Sequence, residues 1–398
     1  MVEMNTLLRA DPTLQAAFGR DACAEQSVAQ QTLDACTAEN VTQMEQAMNQ
    51  IVRQYSQAFR HNYQQEWLIL DVDLSGWLCG KQAAFATKGY FAGAPRNRRG
   101  RQVGRVLASQ YQEVVVDRLF AGTRQLGNSL PELIQAAQET LQLDEARRAR
   151  CLVRFDAGGG SIFNFNWLLG QGYEVVGKIC STQQARLLAK TVREWVTDTL
   201  VPERQMGWVT QEAEGFVKPV RRIAVRCKKA NGTWGIGVLV CSLSSEAILQ
   251  MAPSGQTQED HAVLRALVAL YDQRGGGIET SFQGDKQGLG LTKRNKKRFE
   301  AQQVLLLLGS LAHNVVVWAR SWLTSQEQET GTPPVLRHYG ILRMVRDVFH
   351  ISGFLSFDTS GKVVQIQLNQ DASLAHLILP SLQRLLFPMH VAISLGKN

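Results

Sequence analysis

The stretch YDQRGGGIETSFQGDK places a phenol, a guanidinium, a carboxylate and an ammonium within sixteen residues. Tyr271 and Arg274 precede a glycine triplet, and Glu279 follows it. Lys286 lies seven residues after Glu279. Cationic side chains bind phosphate, and a carboxylate binds a divalent metal ion. The stretch therefore predicts a phosphate group held beside a metal ion. Glu279 cannot hold the ion alone, so we expect partner residues elsewhere in the chain.

Two candidate partners lie in predicted strands. WLILDVDLSG alternates as a strand and carries Asp71 and Asp73 on one face, and CLVRFD ends in Asp156. A phosphodiester-cleaving site needs carboxylates from neighbouring central strands and a third from a helix at the sheet edge. Asp73, Asp156 and Glu279 are predicted to be these three. Their oxygen atoms suit Mg²⁺ or Mn²⁺, and two ions would activate the attacking oxygen and stabilise the leaving one.

Asp71 is the alternative to Asp73 because both side chains point to the same face. A buried acid in an apolar strand is costly unless it is paired or bound to metal. We favour Asp73 because Ser75 follows it and the strand ends there, which places Asp73 nearer the open edge. The glycines after Asp156 either form a tight turn or bind phosphate through their backbone N–H groups.

The elements that must position these groups follow the predicted order β-β-β-α-β-α-β, with carboxylates in the first and fourth strands. We predict an α/β fold with a mixed sheet, a β-rich insertion domain and a helical N-terminal domain. The N-terminal domain is either a DNA-binding helix-turn-helix or a plain packing domain. The predicted segments are a helical domain (1–66), the first part of the core (67–180), the insertion (181–262), the second part of the core (263–324) and a C-terminal region (325–398), which begins with a polar linker and contains a hairpin turning at DTSG.

The charge is uneven along the 398 residues, whose net charge is +8. Residues 1–66 carry four Lys/Arg against eight Asp/Glu, so the basic excess lies in the rest of the chain. It concentrates in three clusters, at 95–105, 218–229 and 293–298. Such clusters indicate a polyanionic partner, most often nucleic acid, or else solvated faces of a basic protein.

Cysteine spacing and hydropathy exclude several classes of protein. The seven cysteines are scattered without a Cys-x2-Cys pair, which argues against a disulfide framework and a zinc site. No uninterrupted apolar run approaches the length of a membrane span, so we expect no membrane partner. A reducing cytoplasm is the expected location.

The chain resembles the DDE transposases of bacterial insertion sequences, in particular the group with a Tyr-x2-Arg-x3-Glu-x6-Lys signature (insertion-sequence family four and its sister groups). The matching elements are LDVDLSG, VRFDAGGGS and the stretch from Tyr271 to Lys286. The Glu279-to-Lys286 interval agrees with the signature. The Arg274-to-Glu279 interval has four intervening residues instead of three.

The resemblance implies a ribonuclease-H-like core and cut-and-paste DNA transposition. Water would free a 3′-hydroxyl at the element end, and this hydroxyl would attack target DNA, with a DNA hairpin as a frequent intermediate in the group. Tyr271, Arg274 and Lys286 would bind phosphates of double-stranded DNA near the cut, at terminal inverted repeats and in the target. We expect a homodimer on DNA. In the insertion, Trp208 and Trp234 either stack on an unpaired base or belong to the hairpin core.

Three functions remain open from the sequence: an active metal-dependent transposase, a transposase-derived DNA-binding protein that no longer cuts, and a host nuclease of the same fold. The presence of all three acids favours the first.

Overall fold

The alternation of apolar and polar residues after Trp67 produces the central strand of a large mixed sheet. We describe it from a computed structural model, which covers residues 11–17, 19–89, 91, 95, 97–251, 261–293, 295–325 and 335–397. The predicted linker after Ser325 lies outside the described residues, as do Arg96 and Arg294 of the basic clusters. Two compact units divide the chain: Asn49–Gln283 forms one, and Met1–Met48 with Gly284–Asn398 forms the other. The five segments predicted from the sequence divide the chain differently, and their boundaries stay predictions.

The strands are β1 Leu68–Leu78, β2 Thr87–Lys88, β3 Arg99–Ala108, β4 Glu113–Ala121, β5 Cys151–Phe155, β6 Glu174–Lys178, β7 Val196–Thr197, β8 Arg204–Trp208, β9 Arg221–Lys228, β10 Trp234–Cys241, β11 Gly353–Phe357, β12 Val363–Asn369 and β13 Ala392–Gly396. The helices are α1 Pro12–Ala17, α2 Gln26–Ala35, α3 Ala38–Tyr55, α4 Leu130–Leu141, α5 Glu145–Arg148, α6 Ile162–Gly170, α7 Thr182–Ala189, α8 Ser245–Met251, α9 Ala262–Arg274, α10 Thr280–Gly288, α11 Phe299–Thr324, α12 Ile341–Arg343 and α13 Ala375–Leu386. Two wider, π-helical turns occupy Gly275–Glu279 and Met344–Val348.

The core of the sheet has the order β4-β3-β1-β5-β6. β1, β3 and β4 are antiparallel neighbours, whereas β5 and β6 run parallel to β1. Three antiparallel strands followed by two parallel ones form a ribonuclease-H-like mixed sheet. The prediction of an α/β fold with this core is confirmed.

The strands of the predicted insertion continue the same sheet. β10 pairs antiparallel with the edge of β6, and β9, β8 and β7 follow in order. An exposed strand edge offers unpaired N–H and C=O groups, and β10 satisfies those of β6. The insertion is therefore β-rich, as expected, and is joined to the core by backbone hydrogen bonds.

Helices cover both faces of the core sheet. α4 and α6 pack against the face that carries Leu68, Leu70 and Val72 of β1. α9 packs against the opposite face, where Ile69 belongs to a second apolar cluster. Because strand side chains alternate, Asp71 and Asp73 lie on the α9 face with Ile69. This alternation directs both acids towards the helix that precedes Glu279.

The other compact unit contains α11 and a three-stranded sheet of order β11-β12-β13. β11 and β12 form the predicted hairpin, which turns at Asp358–Gly361. By length and composition alone, α11 could cross a membrane. The sequence analysis noted no such segment because polar residues interrupt the apolar run. However, 61% of its most apolar window is buried inside the protein, as in a core helix.

Candidate active site

The register of β1 and β5 brings the two predicted aspartates together. Val72 lies opposite Phe155 in the parallel pair, so the next residues, Asp73 and Asp156, stand side by side. Asp73 accepts a hydrogen bond from its neighbour Leu74 N–H at 2.8 Å, and Asp156 accepts one from Gly158 N–H, also at 2.8 Å. The glycines after Asp156 thus form a tight turn that fixes this carboxylate.

Both aspartates line a cavity of about 540 Å³. The cavity wall also contains two cationic side chains, Lys88 and Arg124, and two hydroxyl side chains, Ser75 and Thr123. A pocket lined by acidic, cationic and hydroxyl side chains can accommodate a phosphate-containing group.

Asp73 is held in a desolvated position, with a side chain that is 16% exposed. Burial raises the pKa of Asp73 to about 6, and the negative charge of Asp156 adds to the rise, although Arg274 opposes it. A nearby cation would stabilise the ionised carboxylate of Asp73, which burial and the charge of Asp156 disfavour. The site is therefore electrostatically prepared for positive charge.

Asp71 has a different environment. Its side chain is fully buried and forms a two-pronged ion pair with Arg154, at 2.7 Å from Oδ1 to Nε and 2.9 Å from Oδ2 to Nη2. The hydroxyl of Ser109 donates a further hydrogen bond to Oδ2. With its oxygens occupied by protein donors, Asp71 is a structural residue, which supports Asp73 as the member of the site.

Arg274 connects the strand acids to the helix acid. Its Nη1 lies 3.1 Å from Asp73 Oδ2, and its Nη2 lies 3.4 Å from Glu279 Oε1. Burial lowers the pKa of Arg274, but the charge of Asp73 and the contact with Tyr271 outweigh it and raise the pKa above its ordinary value. Burial raises the pKa of Tyr271, whose hydroxyl contacts Arg274. Four of the predicted site residues thus form one connected group with Asp156 beside it.

Glu279 itself remains accessible, with 62% of its side chain exposed. Among the residues that the structure describes, no three His, Cys, Asp or Glu side chains lie close enough to hold a metal ion together. Asp73 and Asp156 fit a divalent cation, because they are adjacent oxygen donors and burial leaves Asp73 in need of a countercharge. The Arg274 guanidinium contacts both Asp73 and Glu279, so it supplies a positive charge between these two carboxylates.

Lys286 lies in α10, seven residues beyond Glu279, and α10 passes from one compact unit into the other. Lys286 belongs to the unit that does not contain Asp73, so its role at the site stays a prediction.

The basic clusters are less exposed than the sequence suggests. Arg101, Arg105, Arg222 and Lys296 are buried, and Arg222 donates to the carbonyls of Gln211 and Glu212 within the protein. These four buried residues therefore do not lie on a surface that a polyanion could contact. Exposed cations remain in all three clusters: Arg98, Arg99, Lys218, Arg221, Lys228, Lys229, Lys293, Lys297 and Arg298.

The two tryptophans of the insertion differ in their surroundings. Trp208 packs against the apolar cluster under α9. Trp234 is 37% exposed, and the Arg226 guanidinium lies 4.6 Å from its ring centroid and 4.0 Å from that of Trp195. Trp208 therefore belongs to the core, while Trp234 offers an aromatic surface.

The sequence analysis missed two buried arginines, Arg105 and Arg154. They contact α10 and α9, the helices on either side of the turn that ends at Glu279. Their signal was present as basic residues at inward positions of strands, but a charge in a sequence does not reveal its partner.

The mixed sheet, with two adjacent strand aspartates and a glutamate on the helical segment that packs against it, defines the class of protein as a ribonuclease-H-like fold. The family model described as transposase DDE domain group 1 matches residues 2–339, and the chain belongs to this family.

Among solved structures, the chain is similar to the piggyBac transposase in a cryo-EM structure of its synaptic complex with hairpin DNA. The two share 13% identity and a TM-score of 0.42, over 71% of this chain and 52% of that chain. The chain thus spans about half the length of that protein. No curated protein matches the sequence.

Proposed function

We propose that the protein is a DNA transposase that cuts the ends of an insertion sequence and joins them to target DNA by a cut-and-paste route. One observation carries the proposal: in a member of the DDE transposase family, Asp73 and Asp156 stand side by side while Arg274 links Asp73 to Glu279. Double-stranded DNA is the proposed partner, at terminal inverted repeats and in the target.

Asp73 and Asp156 would hold Mg²⁺ or Mn²⁺, with Glu279 contributing to a two-ion site. When bound, the metal would lower the pKa of the attacking hydroxyl group or water and neutralise negative charge on the scissile phosphate. The family membership and the adjacent oxygen donors support this assignment.

The remaining side chains bind and orient the DNA. The Arg274 guanidinium, already directed at the carboxylates, can donate to a phosphate oxygen when DNA enters, and Tyr271 holds it in place. In hydrolysis the water oxygen forms a bond to phosphorus while the bond to the 3′-oxygen breaks, which frees a 3′-hydroxyl. In strand transfer this hydroxyl attacks a target phosphate and the target 3′-oxygen leaves. Fixed phosphates hold the reacting atoms in line for both steps.

The decisive experiment uses purified full-length protein, Mg²⁺, and duplex DNA from the sequences that flank the gene. Wild type should nick or cut at one inverted repeat, whereas Asp156→Asn and Glu279→Gln should bind the same DNA without cutting it. Glu145→Gln serves as a matched control, since Glu145 is an exposed acid in α5 and does not line the cavity that contains Asp73 and Asp156.

The outcomes separate the three candidate functions. Binding without cleavage by wild type would favour a transposase-derived DNA-binding protein, and cleavage without preference for a repeat would favour a host nuclease. We also propose that the active form is a homodimer on DNA in the bacterial cytoplasm, and the mass of the protein–DNA complex in solution tests its stoichiometry.

A further inference from the structure

Two buried arginines flank the central strand on the side that faces α9 and α10. Arg105 of β3 is the register partner of Asp73, and Arg154 of β5 is the register partner of Asp71. Each has 1% of its surface exposed and pairs with a buried aspartate. The two guanidiniums thus stand on either side of β1, inside the protein.

Each guanidinium has a further N–H group that donates to a helix next to the turn that ends at Glu279. Arg154 Nη1 donates to the Leu270 carbonyl in α9, before the glycine triplet. Arg105 pairs with Asp117 at 2.8 and 2.6 Å, and its Nη1 donates to Ser281 Oγ at 2.7 Å, just after Glu279. The contacts therefore bracket the π-helical turn at Gly275–Glu279 from both sides.

Packing reinforces the two contacts. The Arg105 guanidinium lies 4.5 Å from the ring centroid of Phe282, and a Cβ at Gly277 would be 3.1 Å from Asp71 Oδ2. The helix backbone thus lies close against the Asp71–Arg154 pair between its two anchors.

Buried ion pairs of this kind add little net stability, because desolvation of the charges offsets their attraction. Their effect here is geometric, because 62% of the Glu279 side chain is exposed and its position depends on where the backbone of this glycine-rich turn is held. We propose that Arg105 and Arg154 are positioning residues that hold Glu279 at the site, acting through Ser281 and Leu270. This inference rests on the proposed catalytic function of Glu279.

Ser281→Ala tests the proposal because it removes one acceptor and leaves the Arg105–Asp117 pair intact. Hydrogen exchange of peptides covering 275–283 should accelerate about tenfold, and DNA cleavage should slow about tenfold at unchanged DNA affinity. Ser281→Thr keeps the hydroxyl and should restore both. Ser381→Ala is the matched control, since Ser381 is also buried and donates one hydrogen bond, to the Leu323 carbonyl at 2.8 Å. It should change neither measurement.

Unchanged exchange in Ser281→Ala would overturn the proposal, and so would faster exchange with wild-type cleavage. If wild type cuts no DNA, the proposed function fails, but the exchange measurement still decides whether the arginines hold this helix.

Discussion

The glycine triplet after Arg274 allows a paired substitution that tests how the glutamate helix rests on the sheet. A Cβ at Gly276 would meet no heavy atom within 4 Å, whereas a Cβ at Gly277 would lie 3.1 Å from Asp71 Oδ2. Neither glycine has a positive φ, so alanine can adopt the same backbone conformation at both positions. The two variants therefore differ mainly in what the added methyl group contacts.

The expected magnitudes have opposite signs. Alanine is favoured over glycine inside a helix by about 1 kcal/mol, so Gly276→Ala should raise the melting temperature by about 2–4 °C. In Gly277→Ala the same gain is offset by crowding, because Arg154 and Ser109 hold the Asp71 carboxylate and prevent its withdrawal. Overpacking of a tight site costs roughly 1–3 kcal/mol, so the net change should be a loss of up to about 2 kcal/mol.

Thermal unfolding of both variants, followed by the DNA-cleavage assay, measures these effects. Gly276→Ala should cut DNA at the wild-type rate, and Gly277→Ala should cut more slowly because the displaced helix moves Glu279. Equal stabilisation by the two substitutions would refute the close contact between Gly277 and Asp71. It would also remove the reason for expecting a difference in cleavage.

Three other predictions follow from the site and its surroundings. Because burial raises the pKa of Asp73 to about 6 from 3.8, the native state binds this proton more tightly than the unfolded state, and the resulting stability is lost as pH rises from 4 to 6. In urea unfolding with EDTA, wild type should lose about 2 kcal/mol more over this interval than Asp73→Asn. Replacing the exposed Arg221, Lys228 and Lys229 by Ala should flatten the dependence of log DNA affinity on log salt, whereas a slope equal to that of wild type would mean that these cations do not reach phosphate. Lys286→Ala should reduce strand transfer about tenfold or more without weakening Mn²⁺ binding measured by calorimetry, and wild-type strand transfer would reject a phosphate contact.

The sequence predicted the elements better than their pairing. Period-two alternation identified β1 and the end of β5, and helical spacing identified the segment before the glycine triplet. The register of Val72 with Phe155 depends on residues 83 positions apart, so no local pattern could show that Asp73 and Asp156 are neighbours. Strand alternation alone also left Asp71 and Asp73 equivalent. Only the partner, Arg154, distinguishes the fully buried, ion-paired Asp71 from the largely buried Asp73.

Basic residues were misjudged for a related reason. Arg101 and Arg105 were counted in a surface cluster because their neighbours in the sequence are also basic. In the sheet they point inward, and Arg105 finds Asp117 on the adjacent strand. Charge density along a chain therefore overestimates a DNA-binding surface wherever the cluster lies in a strand whose alternate residues are buried.

The extra residue between Arg274 and Glu279 has a physical explanation in the wide turn at Gly275–Glu279. An α-helix advances about 100° per residue, so residues four apart share a face and residues five apart diverge. A π-helical turn bonds each residue to the fifth one along, which brings residues five apart back to one face. The 3.4 Å contact between Arg274 Nη2 and Glu279 Oε1 shows that the two side chains do meet. Four intervening residues in a π-helical turn therefore place the arginine and the glutamate on one face, as three intervening residues do in a regular α-helix.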